Sequence, residues 1–140
     1  MRQIPTLGEV MTVASHTIGL DDSIRVAKSN MAKHGIKHLP VITDGHFTGV
    51  VTDRDIKLAQ AVSLDKNFHN TAKVRDALTP DPYAVPRSTP LDQALTTMVD
   101  RGIGSVIVVE DGKPLGIFTR TDACRFLKKL LRSHADSQVS

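Results

Sequence analysis

Two pairs of residues have the types and spacing to hold a sugar that carries phosphate. Thr52 and Asp55 stand three residues apart, and so do Thr119 and Asp122. A carboxylate accepts hydrogen bonds from two vicinal hydroxyls, and a threonine hydroxyl both donates and accepts. Each pair closes the same phrase: Gly49-Val50-Val51-Thr52-Asp53-Arg54-Asp55 and Gly116-Ile117-Phe118-Thr119-Arg120-Thr121-Asp122. The order is glycine, two apolar residues, threonine, two variable residues, aspartate. The second copy follows the first by 67 residues, the size of a structural repeat.

The apolar residues of the phrase predict a strand that ends at the threonine, with a helix starting just after it. A helix N-terminus presents unpaired amides and the positive end of a dipole, which can hold phosphate. A ribose-phosphate therefore suits each phrase. Thr-x-x-Asp is also the pattern of a capping box. Duplication copies caps as well as sites, so the residues alone leave both readings open.

The elements that must position these pairs can be followed along the chain. Thr6 to Met11 suits a short helical turn, and Ser15 to Ile18 a short strand. Asp21-Asp22-Ser23 offers N-caps to a helix with apolar Ile24, Ala27 and Met31, closed by Gly35. His38 to Thr43 and Phe47 to Thr52 read as strands joined by an Asp44-Gly45 turn. A helix with Ile56, Leu58, Ala59 and Val62 as its apolar members follows from Asp53. Residues 63–73 lose periodicity and read as a linker with some helical turn.

The series then restarts. Val74 to Leu78 matches the first short helix, and Thr79 falls where Thr12 fell. Pro90 opens a helix with Leu91, Ala94, Leu95 and Met98 inside, and Gly102 stands where Gly35 stood. Val106 to Val109 is a continuous apolar strand, Asp111-Gly112 repeats the turn, and Ala123 to Leu131 closes as a helix. Each half reads strand, helix, strand, strand, helix. The expected fold is α/β, with two pseudo-twofold halves packed as one compact domain. The expected boundaries are 7–62, a linker at 63–73, 74–132, and a polar, frayed tail at 133–140.

Composition narrows the function classes. The chain has 140 residues, 40% of them hydrophobic, and a net charge of +3. That charge does not force a nucleic-acid reading, and with no Trp and one Tyr a base-stacking platform is not expected. The lone Cys124 forbids an intramolecular disulfide and reads as a small core residue. No signal-like h-region opens the chain and no run suits a membrane helix. A soluble, cytoplasmic protein is expected.

Catalytic patterns are missing: there is no Gly-x-Ser-x-Gly elbow and no Walker loop. His34, His38 and His46 fit no compact metal motif, so no metal site is expected. Lys128, Lys129 and Arg132 read as a solvated helix face.

The ordered set, occurring twice, resembles a tandem pair of cystathionine β-synthase (CBS) domains, the Bateman module. The residues that carry the resemblance are Val10-Met11-Thr12, Ile24 to Met31, His38-Leu39-Pro40-Val41 and the first phrase. The second copy contributes Ala77-Leu78-Thr79, Leu91 to Met98, Ser105 to Val108 and its own phrase. The resemblance spans Leu7 to Leu131. It implies a regulatory protein, not an enzyme. It would bind AMP, ADP, ATP or S-adenosylmethionine in clefts between the repeats, need no catalytic cofactor, and form a homodimer that serves a regulated protein.

The resemblance also implies residue roles. Asp55 and Asp122 would hold ribose hydroxyls. Thr52, Thr119, Thr12 and Thr79 would touch phosphate or ribose. Adenine would lie near His16, Thr17 and Ile18, or near Tyr83, Ala84 and Val85, with Pro40 or Ile107 as apolar wall. Lys37, His38, Arg54 and Arg120 would meet phosphate. Lys37-His38 has no basic counterpart in Gly104-Ser105, so the two sites should differ. An exposed charge needs no partner, and a solvated approach to the strand remains the other reading of Lys37 and His38. A chain of this kind whose sites stay empty would be an interaction scaffold.

Overall fold

The computed structural model describes residues 3–80 and 82–139. Met1, Arg2 and Ser140, from the N-terminal lead and the polar tail of the sequence reading, lie outside the described residues.

In chain order the elements are α1 (Leu7–Val10), β1 (Thr12–Val13), β2 (Ile18–Gly19), α2 (Ile24–His34), β3 (His38–Thr43), β4 (His46–Thr52), α3 (Asp53–Val62) and α4 (Phe68–Thr71). A 3-10 turn at Val74–Asp76 follows. Then come β5 (Thr79–Pro80), β6 (Ala84–Val85), α5 (Leu91–Arg101), β7 (Ser105–Glu110), β8 (Lys113–Thr119) and α6 (Arg120–Val139). One four-stranded sheet has the order β2-β3-β4-β5, and the other β1-β8-β7-β6. In each, a parallel pair joins an antiparallel hairpin. The turn residues Asp44, Gly45, Asp111 and Gly112 all have positive φ, as hairpins of this length need.

Each sheet borrows one short strand from the other copy of the repeat. β1 pairs antiparallel with β8, and β5 with β4. The chain accordingly forms two compact units: one from the described parts of Met1–Val13, Tyr83–Glu110 and Leu115–Ser140, the other from those of Ala14–Pro82 and Asp111–Pro114. They are called here the Asp122 unit and the Asp55 unit.

The borrowed segments complete the long helices. Pro90 precedes α5 without a side-chain cap, and the first amide of that helix, Leu91 N–H, donates to Pro5 O at 2.9 Å. Ile24 N–H, at the start of α2, donates to Ala72 O at 3.0 Å in the same way. Both helices run 11 residues and stop at a left-handed glycine, Gly35 or Gly102, each with φ of 63°.

The cores follow the alternation of the strands. Leu39, Val41 and Val51 pack under Ile24, Ala27, Met31 and Ile56, with Val74 inserted from the borrowed segment. Val106, Val108 and Phe118 pack under Leu91, Ala94 and Met98, with Leu7 inserted. Pro40 and Ile107 point from the opposite strand faces and are fully buried as well.

The leading glycine of the phrase has a steric cause. A Cβ on Gly49 would lie 2.8 Å from the Thr79 carbonyl oxygen, and one on Gly116 would lie 2.7 Å from that of Thr12. The borrowed strands sit too close to admit a side chain there. Gly49→Ala is expected to cost about 1–3 kcal/mol by overpacking, measured by urea unfolding. An unchanged midpoint would contradict this close approach.

Three sequence expectations are corrected. Cys124 is exposed, not in the core, because α6 turns Ala123 and Phe126 inward and leaves Cys124 on the outer side. The tail is helical to Val139 instead of frayed, since 133–139 holds no glycine or proline to stop α6. On α3 only Ile56 is buried; Leu58 and Val62 are 56% and 81% exposed.

Candidate functional site

Strand β4 ends at Thr52, whose extended backbone (φ −116°, ψ 157°) makes it the N-cap of α3. Its Oγ1 accepts from Asp55 N–H at 3.0 Å. The Asp55 carboxylate does not reach back to close a capping box. Instead its Oδ2 accepts from the Thr79 hydroxyl, at the edge of β5, at 2.6 Å. Asp55 is half-buried, and Oδ1 takes no hydrogen bond from the described residues. One acceptor position of about four is used.

The equivalent carboxylate is engaged on all sides. Asp122 Oδ2 accepts from Thr119 N–H at 2.8 Å and from the Thr119 hydroxyl at 3.1 Å. Asp122 Oδ1 accepts from the Thr12 hydroxyl at 2.9 Å and meets Arg125 at 3.4 Å. Asp122 N–H returns a bond to Thr119 Oγ1 at 3.3 Å, which closes the capping box. The residue is buried, 8% exposed. The cap and the site are thus separable: Asp122 spends its carboxylate on the fold, while Asp55 leaves most of its own open.

The charges beside the two phrases are exchanged. In the Asp55 unit, Asp53 N–H donates to Lys37 O at 3.0 Å, and Asp53 forms an ion pair with Lys57 at 2.9 Å. The Lys57 hydrogen bond holds the Asp53 carboxyl below the ordinary carboxylate range, with the charges of Lys57, Lys37 and Lys28 acting the same way. Three lysines thus flank the start of α3, and Arg54 is exposed beside them.

In the Asp122 unit, Arg120 N–H makes the same bond to Gly104 O at 3.1 Å. Gly104 stands where Lys37 stands, and the Arg120 guanidinium lies over it: Nη1 is 3.1 Å from where a Cβ would be. The missing side chain makes room for a cation supplied by the helix. The expected lack of a basic counterpart to Lys37 is therefore filled in part by Arg120, a compensation visible only once both positions share one place.

The remaining predicted residues sort by unit. His16, Thr17, Ile18, His38 and Pro40 join Thr52, Asp55 and Thr79; Tyr83, Ala84, Val85 and Ile107 join Thr12, Thr119 and Asp122. Ile18 pairs with Val41 in parallel, and Ala84 with Ile107. Ile18, Pro40 and Ile107 are buried, whereas Thr17 and Ala84 are exposed and His16, Tyr83 and Val85 half-buried. Sequence reasoning weighed His34 only as a metal ligand and did not name Arg101. His34 stacks on His16 with ring centroids 3.6 Å apart, and Arg101 lies 5.2 Å over the Tyr83 ring. The signal was present: both are the last residues of repeated helices.

Among the described residues, no group of three or more His, Cys, Asp or Glu side chains is placed to hold a metal ion. No helix there is long and apolar enough to cross a membrane.

Comparison with known proteins agrees with the duplication. The sequence profile of the CBS domain matches residues 7–61 and again 74–129. A CBS domain-containing protein of Dictyostelium discoideum is 29% identical over 132 residues, covering 88% of this chain and 91% of its own. Inosine-5'-monophosphate dehydrogenase of Korarchaeum cryptofilum is 36% identical over 108 residues; the match covers 76% of this chain and only 21% of that enzyme.

Among solved structures, CBSX2 in complex with AMP superposes with a TM-score of 0.78 at 27% identity, covering 90% of this chain and 98% of that one. A CBS domain pair in complex with 5′-methylthioadenosine and S-adenosyl-L-methionine gives 0.76 at 25% identity, covering 91% and 98%. With two profile matches, the duplicated phrase and two α/β units of the same design, the chain belongs to the CBS domain family as a tandem pair of repeats.

Proposed function

We propose that this protein is a regulatory module that binds an adenosine-bearing ligand, an adenine nucleotide such as AMP, ADP or ATP, at the Thr-x-x-Asp phrases. Asp55 carries the reading. Its carboxylate is half-buried, anchored by the Thr79 hydroxyl, and open at Oδ1. Two vicinal ribose hydroxyls can donate to it. The positive dipole end of α3 and the cations Lys37, Lys57 and Arg54 suit the phosphate. His38 stands beside Lys37 at the start of β3. The Asp55 unit fills first, because a ribose at Asp122 must displace bonds the fold already uses. Two relatives of the same fold are complexes with AMP and with S-adenosyl-L-methionine, which supports the ligand class.

The protein acts by binding, not by turnover. A nucleotide held more tightly in one arrangement of the chain, or of a homodimer, shifts the population toward it and so signals to a regulated protein in the cytoplasm. S-adenosylmethionine is the second ligand of the same class. Thermal unfolding with millimolar AMP, ATP and S-adenosylmethionine tests the reading. A ligand at about 100 times its Kd stabilises by about 2.7 kcal/mol and raises Tm. If no adenosyl compound moves Tm, the protein is a ligand-free scaffold and the proposal is wrong.

A further inference from the structure

The two units carry the same clamp built from different side chains. In the Asp55 unit, the half-buried His16 ring lies parallel to that of His34, with centroids 3.6 Å apart and planes 13° apart. In the Asp122 unit, the Arg101 guanidinium lies 5.2 Å over the half-buried Tyr83 ring. His34 and Arg101 are the last residues of α2 and α5, each just before its left-handed glycine. His16 and Tyr83 stand at corresponding positions, on the approaches to β2 and β6. In both units a helix end holds the approach to the short strand that pairs parallel with β3 or β7.

We propose that His34 and Arg101 are positioning residues for base recognition, and that only the His16–His34 clamp releases in mild acid. The inference rests on the adenosine reading above, in which the base lies against residues 16–18 or 83–85. A stack of two imidazoles tolerates one proton and opposes the second, because two imidazolium rings repel at this distance. The Arg101–Tyr83 clamp contains no imidazole, and a cation over a phenol ring is attractive.

The charges around the stack act in the same sense. Partial desolvation holds the His34 imidazole below its ordinary range, and His16 and Lys33 add to this. His16 comes from the segment before β2 and Lys33 from α2 itself. The folded-state value of His34 lies below the unfolded one. The clamp is therefore complete above the ordinary imidazole pKa of about 6.5 and is lost as pH falls below it. The 14–17 segment then loses its anchor on α2, and the base loses its ordered strand.

Adenosine separates this effect from phosphate titration, since it is uncharged between pH 5.5 and 7.5. We expect the Kd for adenosine, followed in the full chain through the Ile18 amide resonance, to rise about fivefold between pH 7.5 and 5.5. The value from the Val85 amide should stay constant. The double variant His16→Tyr/His34→Arg installs the other unit's clamp and should flatten the Ile18 profile. His34→Gln, which keeps a planar group without the charge, should flatten it too.

Parallel profiles at Ile18 and Val85, or a pH dependence that survives both variants, would overturn the proposal while leaving adenosine binding intact. Adenosine that moves neither amide would overturn the adenosine reading and the positioning role together. In that case the histidine titration, read from the imidazole protons without ligand, still tells whether the stack opens.

Discussion

Leu7→Ala should destabilise the chain by about 2–5 kcal/mol, and the loss should fall on the second repeat in sequence, not the first. Leu7 is fully buried and packs with Leu91, Ala94, Met98, Val106, Val108 and Phe118. Its amide donates to Thr89 O at 2.9 Å, and the preceding Pro5 carbonyl serves the first amide of α5. Truncating Leu7 leaves a cavity at the point where the borrowed segment holds α5. Hydrogen exchange should lose protection in residues 83–110 while 24–62 keep theirs. Loss confined to 14–62 would contradict the exchange of segments between repeats.

Asp122→Ala and Asp55→Ala should separate stability from binding. The Asp122 carboxylate is buried and accepts from Thr12, from the amide and hydroxyl of Thr119, and from Arg125. Its removal leaves the Thr119 amide without its acceptor, at an expected cost of about 2–3 kcal/mol. At position 55 the cap uses the backbone: Thr52 Oγ1 accepts from the residue's own N–H, which alanine retains. Only the bond from Thr79 is lost, so Asp55→Ala should cost about 1 kcal/mol. Ligand affinity should show the reverse order, with the larger fall at Asp55. Urea unfolding with nucleotide titration of both variants reads the two effects. Equal destabilisation would mean the two carboxylates carry equal structural loads.

What was legible in the sequence was local. Gly35 and Gly102 as left-handed helix stops, the Asp-Gly turns, and Thr52 as N-cap each depend on neighbours within a few residues. The duplicated phrase disclosed the two-copy design for the same reason. The borrowed strands were hidden, because β1 and β5 are two residues long and their pairing joins distant positions, as in Thr12 with Ile117. The partner of each threonine was hidden with them: Thr79 bonds Asp55, and Thr12 bonds Asp122. Ring partners such as His16 and His34 depend on how a helix end meets a loop, which no periodicity encodes. The place of Arg120 over Gly104 was hidden as well, since a vacancy just before β7 is filled by the first residue of α6.

Calorimetric titration of the full chain with AMP, beside the Asp55→Ala variant, tests the central claim most directly. A hydrogen bond to a charged group contributes about 1.5–3 kcal/mol, so losing the ribose contact should weaken binding by about tenfold to a hundredfold. The variant should stay folded, with Thr52 still capping α3. An Asp55→Ala protein that binds AMP with unchanged affinity would show that the carboxylate serves only to anchor Thr79.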